Sequence, residues 1–280
     1  MNKKLLALYG LKYNPFSSEV PVEGLYSHPT LENFCWRIEH VLLREGGFAL
    51  VSGEPGTGKS VTLRLIAERL KDIRDVQIGI ITHPSAKVAD FYRELGEIFG
   101  VVLNANNRWG GFKSLRERWL SHLQGTLLRP VLFIDEAQEM PIAVLSELRM
   151  LTSMNFDSCV LLSVILAGDQ RLNNLLQRDE LLPLGSRIKV RFNTEYADVE
   201  QLQTCLQHLL ESAGNVSLMS PELMQMLCEH AMGNYRVLCT MAGELLAREK
   251  GWAPSREPQA VAEYTAKIRG FLNELQLGEG

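Results

Sequence analysis

The chain has 280 residues, 46% of them hydrophobic, which is enough apolar material for one large or two smaller cores. Its 29 basic and 33 acidic side chains leave a net charge of −4, which excludes a globally basic nucleic-acid binder but leaves room for a local basic patch. Five widely spaced cysteines (Cys35, Cys159, Cys205, Cys228 and Cys239), with no CxxC pair, argue against a disulfide framework or zinc site and suit a reducing cytosol.

The opening MNKKLLALYGLKYNPF is basic and then briefly apolar, too short a run for a signal peptide, and no small-residue cleavage site follows. The longest apolar stretch, Val160 to Gly168, is about half of what a membrane span needs. A soluble, cytoplasmic protein is expected. Residues 1–30 read as irregular, and a helix is predicted from Thr30 to Glu45, ended by Gly46-Gly47. FALVSG is a short strand feeding a loop and a helix over Lys59 to Lys71. VQIGIIT is a second strand, followed by a helix around Ala86 to Phe99 and another that runs to about Leu127. RPVLFID, CVLLSVILAG and IKVRFN complete five strands. Strands alternating with helices imply an α/β class with a buried parallel sheet.

From Asp198 the pattern becomes helical. DVEQLQTCLQHLLESAG places Val199, Leu202, Leu206, Leu209 and Leu210 on one face. SPELMQMLCEHAMG has Ser220 as a cap, Pro221 in the first turn and Gly233 after the end. The expected organisation is an N-terminal segment over 1–30, an α/β nucleotide-binding core over 31–196 and a small all-helical lid over 197–280.

GEPGTGKS, between the first strand and its helix, carries the clearest chemistry. Glycines at 53, 56 and 58 let backbone N–H groups wrap phosphates at a helix N-terminus. The candidate nucleotide contacts are Gly53, Glu54, Pro55, Gly56, Thr57, Gly58, Lys59, Ser60 and Val61; Lys59 would reach the β- and γ-phosphates and Ser60 would hold Mg²⁺. VLFIDEAQEM ends a strand in two acids. Asp135 would position Mg²⁺, and Glu136 would polarise the water that attacks the γ-phosphate, which points to ATP hydrolysis rather than transfer. AGDQRL then brings Asp169 or Gln170 beside the γ-phosphate. Arg187, in GSRIKVRF, and Arg236, in MGNYRVL, supply further cations for transferring phosphate charge.

In these motifs the chain resembles the AAA+ ATPases of the ExeA-like group, whose relatives include the TniB, TnsC and MuB transposition ATPases. The matching residues are YGLKYNPF, LYSHP and, most specifically, DEAQEMPIAVLSELRMLTSMNFD through VILAGDQRL. The resemblance implies a P-loop AAA+ core followed by a helical lid, with the aromatic-proline segment around Phe16 over the adenine. It also implies Asp169 as sensor 1, Arg187 as an arginine finger acting on a neighbour's ATP, and Arg236 as sensor 2. An uncharged polar residue is usual at 169; an anion there repels the γ-phosphate unless protonated or turned toward a cation, so Gln170 is the alternative sensor. The finger in turn implies a head-to-tail ring or filament.

The same resemblance implies that segments after the second strand line a central pore, where Lys87, Arg108 and Lys113 would meet the phosphates of duplex DNA. Five basic residues against one acid between Asn104 and Pro130, with Trp109 and Phe112 among them, agree with this. Arg116 and Arg118 read as a solvated helix face and Trp119 as core. No base-reading motif is evident, so DNA binding would be backbone-directed, and a transposase and a target-selection protein are the expected partners. The alternatives are a secretion-type ATPase acting with a membrane partner, and a nucleotide-dependent protein-binding switch. The C-terminal FLNELQLGEG is a possible partner contact.

Overall fold

Five apolar runs form one parallel sheet, in the spatial order Val76–Ile81, Arg129–Ile134, Ser163–Gly168, Gly47–Gly53 and Ile188–Thr194. The computed structural model describes residues 6–7, 9–102, 108–125, 129–154 and 159–248. They divide into two compact units: Ser27 to Glu195, and the residues up to Tyr26 together with those from Tyr196 onward.

In the first unit, helix α1 (Thr30–Arg37) continues through a wider π turn (Ile38–Leu42) and a last turn (Leu43–Glu45). Gly46 ends it at φ 62°, where a Cβ would lie 2.1 Å from Cγ1 of Val160. There follow β1 (Gly47–Gly53), α2 (Lys59–Lys71), β2 (Val76–Ile81), α3 (Val88–Phe99), α4 (Arg108–Gly125) and β3 (Arg129–Ile134). A 3₁₀ turn (Ala137–Glu139) leads to α5 (Ile142–Thr152) and a short antiparallel pair, β4 (Ser153–Met154) with β5 (Cys159–Val160). The unit closes with β6 (Ser163–Gly168), α6 (Gln170–Leu176), α7 (Leu182–Gly185) and β7 (Ile188–Thr194).

Strand side chains alternate between two cores, as the period of two requires. Phe48, Leu50, Leu132, Ile134, Val164 and Leu166 pack with α3, α4, α5 and α6, and Trp119 of α4 is fully buried among them. Ala49, Val51, Val131, Phe133, Ile165, Ala167 and Val190 pack with α1 and α2. Burial on both faces is why these strands read as continuous apolar runs. That same uniformity hides a break: CVLLSVILAG is two strands, not one. Cys159–Val160 turns back on β4, Leu161 donates its N–H to the Thr152 carbonyl at 2.7 Å, and only Ser163–Gly168 joins the sheet.

The second unit is helical among its described residues: α8 (Val199–Ala213), α9 (Pro221–His230) and α10 (Tyr235–Arg248). Leu202, Leu206, Leu209 and Leu210 are buried as expected, but Val199, in the exposed first turn of α8, is 39% exposed and leaves the apolar face. Ser220 caps α9 with Pro221 in its first turn, and Gly233, at φ 85°, packs against Tyr196 and Ala197. The N-terminal segment belongs to this unit. Tyr9 and Leu11 join its core, Tyr9 Oη donates to the Leu246 carbonyl, and Asn215 Nδ2 donates to the Tyr9 carbonyl at 2.6 Å. FLNELQLGEG lies outside the described residues. Cys35, Cys205, Cys228 and Cys239 are free thiols, and burial pushes all four above the ordinary cysteine value, so none is a thiolate at neutral pH. Among the described residues no helix is long and apolar enough to cross a membrane.

Asp198 caps α8 reciprocally: its side chain accepts from the Gln201 N–H, and the Gln201 side chain accepts from the Asp198 N–H. Asp198→Ala removes the half made by the aspartate side chain, leaves the backbone N–H of residue 198 to the Gln201 side chain, and should destabilise by about 1 kcal/mol, measured as a fall in the urea midpoint followed by circular dichroism.

Candidate nucleotide site

Parallel strands deliver their carboxyl ends to one edge, the edge where α/β sheets bind ligands. Register fixes which tips meet there. Ser52 of β1 is level with Gly168 of β6, and Gly53 is level with Thr194 of β7. On the other side of β6, Ile134 of β3 is level with Leu166. The phosphate loop, Asp135 and Asp169 therefore all leave the sheet at the same edge.

The loop itself is held by backbone geometry. Gly56 and Gly58 take φ of 83° and 98°, conformations that side chains disfavour. Gly53 is required by close approach, since a Cβ there would lie 2.0 Å from Thr194 Oγ1 and 2.3 Å from the Thr194 carbonyl oxygen. Thr57 Oγ1 donates to the Glu54 carbonyl at 2.7 Å and lies 2.7 Å from Thr194 Oγ1. Thr194 Oγ1 also lies 3.2 Å from the Ser52 carbonyl, so its single proton is shared between that carbonyl and Thr57. Lys59 is 6% exposed, and its Nζ donates to the carbonyls of Gly53 at 2.9 Å and Glu54 at 3.1 Å. Ser60 is exposed in the first turn of α2, with Val61 half-buried beside it. Glu54 and Pro55 are exposed at the loop crest.

Asp135 follows β3 directly. Its Oδ1 accepts the Glu136 N–H at 2.9 Å. The Ser60 hydroxyl and Asp135 carboxylate are the hard oxygen donors that Mg²⁺ takes alongside retained water, so the residues present fit that ion. Glu136 stands at φ 52°, ψ 40°. A left-handed conformation in a residue other than glycine costs about 1–2 kcal/mol, and such strain clusters at functional positions. The turn it makes brings Gln138 Nε2 onto Glu136 Oε2, while Gln138 Oε1 accepts the Asp169 N–H at 3.3 Å.

Asp169 is an anion turned toward a cation. Its Oδ1 caps α6 by accepting the Arg171 N–H at 2.8 Å, and its Oδ2 accepts from Arg171 Nε at 2.9 Å. Arg171 also reaches Glu139 at 3.0 Å. Burial alone would raise the Asp169 pKa, but the hydrogen bonds and charge of Arg171, with the charge of Lys59, hold it below the ordinary aspartate value. Gln170 is exposed, and its Oε1 accepts from Asn173 Nδ2 at 3.2 Å. Gln138 and Arg171 lie within VLFIDEAQEM and AGDQRL but carry no role in the sequence reading, and Thr194 lies outside the motifs; an amide and a guanidinium each two residues beyond a motif acid are the signals the sequence offers.

Arg187 lies away from this edge. It precedes β7, its carbonyl accepts the N–H of Phe48 at 3.3 Å, and its Nη1 donates to the Pro183 carbonyl at 2.7 Å. Seven residues of strand separate it from Thr194, roughly 20 Å at the ordinary rise. Lys87 is exposed at the N-terminal boundary of α3, and its side chain makes no capping hydrogen bond. Lys113 is exposed on α4, with Glu117 at 3.6 Å. Arg108 begins α4, and its side chain lies outside the described residues. Trp109, 73% exposed, stacks on Phe112 at 5.7 Å, and the Arg116 guanidinium lies 4.9 Å over the Phe112 ring. Arg236 and Phe16 belong to the helical unit: Arg236 is exposed in the first turn of α10, where its N–H donates to Asn234 Oδ1, and Phe16 is half-buried against the helical core. A carboxylate with a depressed pKa contributes stability above its unfolded value and loses it as pH falls through the folded one. In thermal melts across pH, the Tm gap between wild type and Asp169→Asn should be full at pH 7 and shrink below about pH 4.

A family model described as "AAA domain" matches residues 43–176. The chain is 28% identical over 242 residues to General secretion pathway protein A of Aeromonas hydrophila, covering 80% of this chain and 43% of that protein, so it spans less than half of that relative's length. Among solved structures it is similar to the Cdc6p of Pyrobaculum aerophilum, with a TM-score of 0.64 and 20% identity over 83% of this chain and 64% of that one. It is also similar to the Aeropyrum pernix ORC1 protein in complex with DNA, with a TM-score of 0.66 and 19% identity over 92% and 70%. Residues 43–176 thus match an AAA domain and the chain has a P-loop AAA+ fold, and the likeness along the wider chain supports an ExeA-like AAA+ ATPase.

Proposed function

We propose that this chain is an ATP-hydrolysing AAA+ regulator of DNA transposition. Its ATP-bound subunits assemble head to tail on duplex DNA and recruit or activate a transposase there, and hydrolysis releases them. The observation that carries the chemistry is the shared edge, where Lys59 and the phosphate loop leave β1 and the Asp135–Glu136 pair leaves β3. Lys59 exchanges its two carbonyl partners for the β- and γ-phosphate oxygens, a charge-assisted and therefore stronger pairing. Ser60 and Asp135 hold Mg²⁺, which when bound shields phosphate charge. Glu136 takes the proton of the attacking water. Asp169, neutralised by Arg171, leaves Gln170 as the uncharged group at the β6 tip and the better γ-phosphate sensor. Arg187, at the opposite end of β7, is too far to serve its own subunit's phosphates and acts on a neighbour's.

The DNA reading is supported by the exposed Lys87 and Lys113 and by the Trp109–Phe112–Arg116 stack on α4. The Lys113–Glu117 pair is solvent-exposed and worth only about 0.3–0.5 kcal/mol, so it yields readily to a phosphate. Contacts of this kind are sequence-tolerant and salt-sensitive. A second reading, a secretion-type ATPase working with a membrane partner, is favoured by the likeness to General secretion pathway protein A.

Glu136→Gln should bind ATP normally and lose ~10²–10⁴-fold in kcat, in a coupled phosphate-release assay with fluorescent-nucleotide binding alongside. Arg187→Ala should lower both turnover and the assembled fraction in sedimentation, because one contact serves both. Random-sequence duplex should retain the wild-type protein with ATP but not ADP, with retention falling as salt rises and in Lys87→Ala/Lys113→Ala. ATP turnover without any such retention would transfer the assignment to the secretion-type reading.

A further inference from the structure

Gln138 takes no part in the phosphate chemistry described above, yet its side chain joins Glu136, which does, to the backbone of Asp169 beside Gln170. The orientation of its amide is fixed by chemistry rather than by fit. Glu136 Oε2 can only accept, so it must face Nε2; the Asp169 N–H can only donate, so it must face Oε1. The left-handed backbone of Glu136 and the 3₁₀ turn after it, closed by Glu139 N–H to the Glu136 carbonyl at 2.9 Å, set side chains 136 and 138 together. The residue at the tip of β6 is shaped to receive the amide. Gly168 carries no side chain, and a Cβ there would lie 2.5 Å from Gln138 Oε1. A second tie runs in parallel, from Glu139 through the Arg171 guanidinium to Asp169.

We propose that Gln138 is a positioning residue: it aims the Glu136 carboxylate and couples that aim to the backbone at the tip of β6. This rests on the reading of Glu136 as the base for hydrolysis. An exposed glutamate otherwise samples several rotamers. Held by an amide that is itself tied to the Asp169 N–H, it follows the strand tip where the γ-phosphate is sensed. A small shift of Asp169 on phosphate binding is thereby passed to the group that activates water, through one side chain.

The test is a double-mutant cycle in the full chain, with kcat, ATP affinity and thermal midpoint measured for each variant. Gln138→Ala and Gln138→Glu should each lower kcat by ~10-fold or more while ATP affinity stays within about twofold. The glutamate keeps the shape and the acceptor for the Asp169 N–H but sets a like-charged oxygen where the donor to Glu136 stood, so it disrupts that arm without emptying the site, and Gln138→Ala removes the arm without adding charge. In a Glu136→Gln background, Gln138→Ala should leave the residual rate within about twofold, since a residue acting through Glu136 has nothing left to position. A wild-type kcat in both Gln138 variants, or a full further loss on top of Glu136→Gln, would overturn the inference. Wild-type turnover by Glu136→Gln itself would instead remove the base assignment beneath it, which separates the two failures.

Discussion

At residue 53 the tip of β1 runs against β7 so closely that no side chain fits between them. The Thr194 hydroxyl and carbonyl occupy the space a Cβ would need. That contact anchors the phosphate loop to the sheet at its first residue, and the Thr57–Thr194 pair anchors it again four residues later. With both ends of the turn fixed, left-handed Gly56 between them and Gly58 just beyond carry the backbone into the start of α2. The site is therefore a property of the sheet edge, and its precision derives from strand register rather than from loop packing.

What the sequence makes legible follows from how local each cause is. The phosphate loop, the paired acids and four of the five strands are written in contiguous residues, and they stand where the spacing puts them. The strand boundary at Leu161–Leu162 is hidden because both leucines are buried, as strand residues would be. Val199 shows the converse: periodicity places it on the apolar face, but a first-turn position leaves it in solvent. The N-terminal segment joins the helical unit through contacts such as Tyr9 to Leu246, which are 237 residues apart. No local pattern carries that information.

The departure at residue 169 is resolved by electrostatics. An anion at the position that the resemblance reads as phosphate-sensing is tolerable only when its charge is already spent, and Arg171 spends it through one backbone and two guanidinium contacts. Arg171 is drawn at once to Glu139, so the ion cluster fastens the turn after β3 to the turn after β6. The motif letters alone suggest a conflict at this position; the residue two places on removes it.

β7, paired with β1 along its length, has Arg187 immediately before its first residue and Thr194 as its last. A strand bonded in this way moves as a rod, not as a chain of independent residues. In the proposed head-to-tail assembly, each subunit then offers a completing arginine at one face and an incomplete nucleotide site at the other. A row of such subunits has a direction. One terminal nucleotide has no neighbour to complete it and outlasts the rest, so an open row erodes from within and keeps a persistent end, whereas a closed ring has none.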